Sequence, residues 1–315
     1  MRKIVVFLMG PTGAGKSDLA LDLVAHLPLE IISVDSAMIY RGMDIGTAKP
    51  SSDVLARVPH HLVDILDPAQ SYSAGDFLRD SLAAMRDIWS RGRHPLLVGG
   101  TMLYFHALTE GIAELPRSDP AIRAAIEAEA VARGWTPLHA ELARVDPEAA
   151  RRIHVNDPQR IQRALEVFRI TGEPITRLQQ FRTPSLADAE VIEYALAPSN
   201  RAVLAENIAR RFERMLEAGF LAEVSALFAR GDLSAANPSM RCVGYRQLWR
   251  HLAGECSMEI ATQKGIIATR QLAKRQLTWL RRRPNARWMD SVHPDVAMDV
   301  KSALAERIEN SGLSS

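Results

Sequence analysis

The sequence predicts an α/β protein: a phosphate-binding-loop core built on a mostly parallel sheet, with an inserted all-helical subdomain. Three observations carry this. The motif G-x-x-x-x-G-K-[ST] stands complete between an apolar run and a helical pattern. Strand and helix signals alternate along the N-terminal part, as parallel sheets require. From about Leu115 to Pro184 the strand signals stop and only helical periodicity remains.

Ile4-Val5-Val6-Phe7-Leu8-Met9 reads as a strand buried on both faces. The motif follows as Gly10, Pro11, Thr12, Gly13, Ala14, Gly15, Lys16 and Ser17. Leu19, Ala20, Leu23, Val24 and Leu27 then recur at helical spacing. Glycines let backbone N–H groups turn inward around an anion, and the helix N-terminus adds positive potential. Lys16 would reach the outer phosphate oxygens, and the Ser17 hydroxyl would ligate Mg²⁺. A second strand is expected at 30–34, ending at Asp35, a third at Leu62–Ile65, and a fourth at 95–98, ending at Gly99-Gly100-Thr101. Ser73 and Asp76 form a capping pair opening a helix through Phe77, Leu78, Leu82 and Met85. Near Leu115–Pro120 the insertion begins, with Ile122, Ile126, Leu138, Leu142, Ile161 and Leu165 on its apolar faces. A strand at 193–196 returns to the core, and an amphipathic helix through Leu204, Ile208, Phe212 and Met215 ends near Gly219. The expected core is therefore 1–115 with 187–315, the helical insertion is 116–186, and Asn310 to Ser315 are expected to fray.

The 315 residues, 47% hydrophobic and 24% charged, suit a globular chain with a well-buried core. No charged-then-apolar leader and no membrane-length apolar run occur, so the cytoplasm is the expected compartment. The two cysteines, Cys242 and Cys256, lack metal-ligand spacing and are expected to be reduced thiols.

Asp35, at a strand's carboxyl end beside the glycine loop, suits a general base or a water-mediated Mg²⁺ ligand; it suits equally an N-cap for a helix from Ser36. Gly99-Gly100-Thr101 stands where nucleotide hydrolases often place a metal-binding acid, and its lack weakens a hydrolase reading. The glycines would admit close substrate approach, or simply make a tight turn capped by Thr101. His60-His61 diverge and complete no ligand set, so they read as structural. Met102, Leu103, Tyr104 and Phe105 read as core. Three basic clusters remain: Gln159-Arg160-Ile161-Gln162-Arg163, Arg241-Cys242-Val243-Gly244-Tyr245-Arg246, and the arginines and lysines from Thr262 to Arg287. Each alone fits a solvated face, yet three of them at a net charge of +2 imply segregated positive surface suited to RNA.

Further landmarks are Asp35-Ser36 followed by Ile39-Tyr40-Arg41, Asp44-Ile45-Gly46-Thr47-Ala48-Lys49-Pro50, Pro59-His60-His61-Leu62 and Tyr72-Ser73-Ala74-Gly75-Asp76-Phe77. With the glycine loop, Gly99–Thr101, Gln159-Arg160 and Arg241–Arg246, they resemble the tRNA dimethylallyltransferase (tRNA isopentenyltransferase) family across nearly the whole chain. The resemblance implies transfer of a dimethylallyl group from dimethylallyl diphosphate to the N6 amine of the adenosine 3′ of the anticodon, in tRNAs reading codons that begin with U. It implies Asp35 as base, Lys16 and Thr101 as catalytic partners, and Arg211 on the diphosphate beside Gly10–Ser17. It implies tRNA contacts at Asp35, Ser36, Ala37, Met38, Thr101, Arg123, Gln159 to Arg163 and Arg241 to Arg246. Mg²⁺ at Ser17, the anticodon stem-loop as partner, no membrane and a monomeric chain complete the expectation. Many members carry glutamine where this chain has Met38, and the zinc-finger extension of eukaryotic members is missing, which makes the resemblance bacterial in type. The competing readings are an adenylate (AMP) dimethylallyltransferase, a nucleoside kinase holding ATP in the loop, and an RNA-binding module that only senses nucleotide.

Overall fold

The computed structural model describes residues 3–113, 115–180 and 183–312. Six parallel strands form one sheet in the order β3-β2-β4-β1-β5-β6. They are β1 (Ile4–Met9), β2 (Leu29–Val34), β3 (His60–His61), β4 (His94–Gly99), β5 (Glu190–Ala197) and β6 (Arg287–Asp290). Every residue of β1 and β2 is buried, as their runs of branched apolar side chains require of strands covered on both faces. The helices before the chain leaves the core are α1 (Lys16–His26), α2 (Ser52–Arg57), α3 (Ala74–Ser90) and α4 (Met102–Glu110). The Ser73–Asp76 capping box starts α3, with both reciprocal hydrogen bonds present.

The chain divides into two compact units, 3–106 with 186–312 and 107–185. The division falls inside α4, earlier than the Leu115–Pro116 boundary read from the sequence. The helical unit contains α5 (Pro120–Arg133), α6 (Trp135–Val145), α7 (Pro147–Arg152), α8 (Pro158–Thr171) and α9 (Ile175–Leu178), and no strand among the described residues. Ile126, Leu138, Leu142, Ile161 and Leu165 make its core. Buried Asp146 accepts from Ala149 N at 2.9 Å and from the Thr176 hydroxyl at 2.8 Å, fastening α7 to α9. The core unit resumes at β5 and adds α10 (Arg201–Glu217), α11 (Phe220–Phe228), α12 (Tyr245–Leu252), α13 (Met258–Leu280) and α14 (Val296–Gly312).

Three expectations are corrected. The third strand lies at His60–His61, because Leu62 and Asp64 take left-handed backbone at φ 61° and 55° and leave the sheet. Asp64 N and Ile65 N instead donate to Met38 O and Ile39 O. β6 begins at Arg287, the end of the third basic cluster, where no strand was expected; it pairs with β5 at the sheet edge and leaves Arg287 exposed. Asn310 is the last turn of α14, and 313–315 lie outside the described residues.

His94 opens β4 fully buried, and neither ring nitrogen has a partner among the described residues. Burial pushes its pKa down, so the folded ring stays neutral. As pH falls below about 6.5, the unfolded chain takes up a proton that the folded chain refuses, and stability falls. Nearby, burial pushes Glu30 up, but hydrogen bonds from Arg91 at 2.7 Å and His61 at 3.1 Å more than offset it, which adds an acid-side loss of the same sign. His94→Leu is therefore expected to stabilise the protein by about 1–3 kcal/mol and flatten the acid limb of urea-unfolding stability against pH. An unchanged acid limb would place the loss in other groups.

Candidate active site

The glycine loop connects β1 to α1, and its shape follows from its residues. Gly13 and Gly15 sit at φ 80° and 81°, where a side chain would be strained. Gly10 lies against β5, so a Cβ there would fall 2.3 Å from Leu196 O. Gly15 caps α1 without any side-chain acceptor, which leaves the first N–H groups of the helix free for an anion. Lys16 bends back and donates to Pro11 O at 2.8 Å. Burial, and then the charge of Arg211, push the Lys16 pKa down to about 7, with Asp35 pulling the other way. Burial likewise pushes Arg211 down, opposed by Asp35. Two cations and one carboxylate thus share this end of the sheet.

Asp35 directly follows β2, and no helix starts after it. Its Oδ1 accepts from Ala37 N at 2.8 Å and Met38 N at 3.4 Å, an Asx turn in place of the N-cap. Its Oδ2 has no protein partner among the described residues. Thr101 follows β4; its N–H donates to Val34 O at 3.1 Å, and its Oγ1 accepts from Ser36 N at 3.2 Å. The Thr101 hydroxyl hydrogen stays available to a ligand. Asp35, Thr101 and Arg211 line one cavity of about 550 Å³, together with Cys242 and the exposed Leu103 and Trp279. Burial, with Asp35 adding, pushes the Cys242 thiol up to about 12, so it is no thiolate nucleophile. No group of three or more His, Cys, Asp or Glu side chains converges as a metal site among the described residues, the His60-His61 pair included.

The sequence matches the family model for IPP transferases over residues 38–283. The chain belongs to the IPP transferase family. Its fold is similar to a tRNA isopentenylpyrophosphate transferase of Bacillus halodurans, at 36% identity and TM-score 0.70, covering 98% of each chain. It is similar to the tRNA isopentenylpyrophosphate transferase of Staphylococcus epidermidis, at 30% identity and TM-score 0.68, covering 97% of this chain and all of that one. A eukaryotic dimethylallyltransferase solved acting on tRNA matches at 25% identity and TM-score 0.81, covering 99% of this chain and 80% of that one.

Within this IPP transferase, several landmark residues shape the site from behind, and Gly46 also lines the cavity. The Glu223 carboxylate accepts from Asp44 N at 2.9 Å, Ile45 N at 2.7 Å and Gly46 N at 3.1 Å. The buried Lys49 ammonium ties Asp44, Asp64 and Tyr40 O together. Gly46 has no room for a Cβ, which would fall 2.1 Å from the Phe220 ring.

The residues expected to contact RNA divide by exposure. Arg241 and Arg246 are exposed on the core unit, while Gly244 and Tyr245 are buried and the Tyr245 hydroxyl donates to Glu223. Those two pack beneath the arginines, with Tyr245 also on the cavity wall. In the helical unit Gln159 and Arg160 are exposed, Ile161 is core, and buried Gln162 donates to Glu127 at 2.9 Å. Arg163 is spent on Glu166 at 2.8 Å and Pro116 O at 2.7 Å, and Arg123 donates to Gln162 at 3.3 Å. In the third cluster Arg283 pairs with Glu193 at 3.0 Å, whereas Lys264, Lys274, Arg275, Arg281 and Arg282 are exposed. The sequence reading missed Gln276, which reaches from α13 into the loops at the strand ends. No helix among the described residues is long and apolar enough to cross a membrane.

Proposed function

We propose that this family member transfers the dimethylallyl group of dimethylallyl diphosphate to the N6 amine of the adenosine 3′ of the anticodon, in tRNAs reading codons that begin with U. The observation that carries the reading is the Arg211 guanidinium and an unpartnered Asp35 carboxylate oxygen on one cavity, whose wall the glycine loop reaches at Thr12. Backbone N–H groups of the loop, Lys16 and Arg211 hold the diphosphate and stabilise the charge it gains as the allylic C–O bond breaks. N6 forms the new C–N bond and loses its proton to Asp35 Oδ2. The Thr101 hydroxyl, fixed by Ser36 N, can donate to a diphosphate oxygen or to the adenine. Ser17, exposed in the first turn of α1, would hold Mg²⁺ chiefly through substrate oxygens, which suits a hard cation where few carboxylates converge. That ion would add charge neutralisation at the leaving group.

The fold's relatives and the exposed arginines favour tRNA over a free nucleotide. Gln159 and Arg160 on the helical unit would contact the anticodon stem-loop, and on the core unit Arg241 and Arg246 would contact tRNA. The protein would work as a cytoplasmic monomer. Mass spectrometry of tRNA incubated with the protein, dimethylallyl diphosphate and Mg²⁺ tests this, with AMP as competitor. One dimethylallyl group on the adenosine beside the anticodon is expected; transfer mainly to AMP would sink the tRNA reading.

Arg160 and Arg163 should now separate. Arg160 is exposed, and its guanidinium pairs with Asp157 at 3.3 Å. Arg160→Ala is expected to weaken tRNA binding and lower the salt slope by about 1, with diphosphate affinity intact. Arg163→Ala strips the cation from the buried Glu166 and should lower the thermal midpoint as well. Equal loss of diphosphate affinity in Arg160→Ala would assign the helical unit a different role.

A further inference from the structure

Gln276 stands on α13, and its side chain enters the cavity wall between two loops. A primary amide carries an acceptor and a donor on one rigid plane, so it can bridge two backbone groups at fixed spacing. Here Oε1 accepts from Thr12 N at 2.9 Å, and Nε2 donates to Gly100 O at 3.0 Å. Thr12 belongs to the loop after β1, and Gly100 to the loop after β4, its neighbour in the sheet. The fit is close: a Cβ on Gly100 would fall 2.2 Å from Nε2 and displace the amide.

Two consequences follow. The Thr12 N–H is already engaged and is withheld from the anion cradle, which is left to the N–H groups at the start of α1. Beyond Gly100, Thr101 Oγ1 accepts from Ser36 N, next to Asp35. A short run of hydrogen bonds and peptide units therefore joins the glycine loop to the carboxylate, with Gln276 as a side-chain bridge between the β1 and β4 loops.

We propose that Gln276 is a positioning residue that sets the separation between the leaving-group loop and the Thr101–Asp35 end of the cavity. The inference rests on the reading above for which end does what. Transfer in line demands close reactants, and a misplacement of about 1 Å can cost roughly 100-fold. Gln276 acts here through the backbone of two loops.

The test compares wild type, Gln276→Leu and Gln276→Glu in the full-length protein. Amide hydrogen exchange is followed over 10–13, 99–101 and the rest of α13. Single-turnover transfer is measured at saturating tRNA and dimethylallyl diphosphate, alongside tRNA affinity and thermal midpoint. Gln276→Leu should speed exchange up to about tenfold in both loops together, leave α13 protected, and slow transfer about 100-fold with tRNA affinity unchanged. Gln276→Glu keeps the acceptor for Thr12 N but not the donor to Gly100 O. It should restore protection at 10–13 alone, and it carries the test if the leucine variant fails to fold. Loosening of one loop or neither in Gln276→Leu overturns the bridge. Loosening of both with an unchanged transfer rate overturns the positioning role. If wild type transfers nothing to tRNA, the proposed function fails, and the exchange pattern still decides for or against the bridge.

Discussion

Asp35→Asn is expected to slow prenyl transfer by roughly 10²–10⁴-fold, the range for removing a positioned general base, while tRNA affinity stays near that of wild type. Asparagine suits the test because its Oδ1 can still accept from Ala37 N and Met38 N, so the Asx turn survives. What disappears is the charged, unpartnered oxygen. The adenine amine is a weak nucleophile, its lone pair delocalised into the ring, and it must shed a proton as the C–N bond forms. Without an acceptor at Asp35 the developing ammonium charge has no carboxylate in the cavity wall to receive its proton. A smaller effect should accompany this: Asp35 supports the charge on Lys16 and Arg211, so diphosphate affinity should fall modestly. Single-turnover transfer at saturating substrates separates the two, and normal turnover in this variant would refute the base.

The parts of this site legible in the sequence were those with local signatures. Buried parallel strands announce themselves as branched apolar runs, and β1, β2, β4 and β5 all do so. The glycine loop and the Ser73–Asp76 box are short-range motifs whose spacing is their geometry. The capping and turn chemistry of Asp35 was less determined, since Asp followed by Ser opens helices and Asx turns alike. β6 escaped because Arg287-Trp288-Met289-Asp290 is a short edge strand with charged ends, of which Arg287 is exposed. β3 was misplaced by its own brevity, with left-handed Leu62 and Asp64 ending it at once. Gln276 could not be read at all. Its partners Thr12 and Gly100 lie far away in the chain, and nothing in a helical pattern marks one glutamine as a bridge. The basic clusters show the opposite failure: charge was visible, but not which arginines Glu166 and Glu193 had already claimed.

Lys16→Met is expected to be as damaging as losing a preorganised oxyanion donor, roughly 10²–10³-fold in transfer rate, with weaker binding of dimethylallyl diphosphate. Methionine fills the space of the lysine stem and removes only the ammonium, so the loop's glycine geometry should persist. Arg211→Met should cost less. Arg211 stands beside Lys16 as a like charge and helps hold its pKa at about 7, behind the larger effect of burial. Removing Arg211 lets Lys16 keep its proton to higher pH, and that added charge offsets part of the loss. Removing Lys16 leaves no comparable reserve, because Arg211 is fully charged at neutral pH in either protein. The ordering should therefore be Lys16→Met below Arg211→Met at pH 7, measured as single-turnover rates and as affinity for pyrophosphate. It should also survive added salt, because these charges are enclosed and poorly screened. The reverse ordering would make Arg211 the main counter-charge to the leaving group and reduce Lys16 to a brace on Pro11 O.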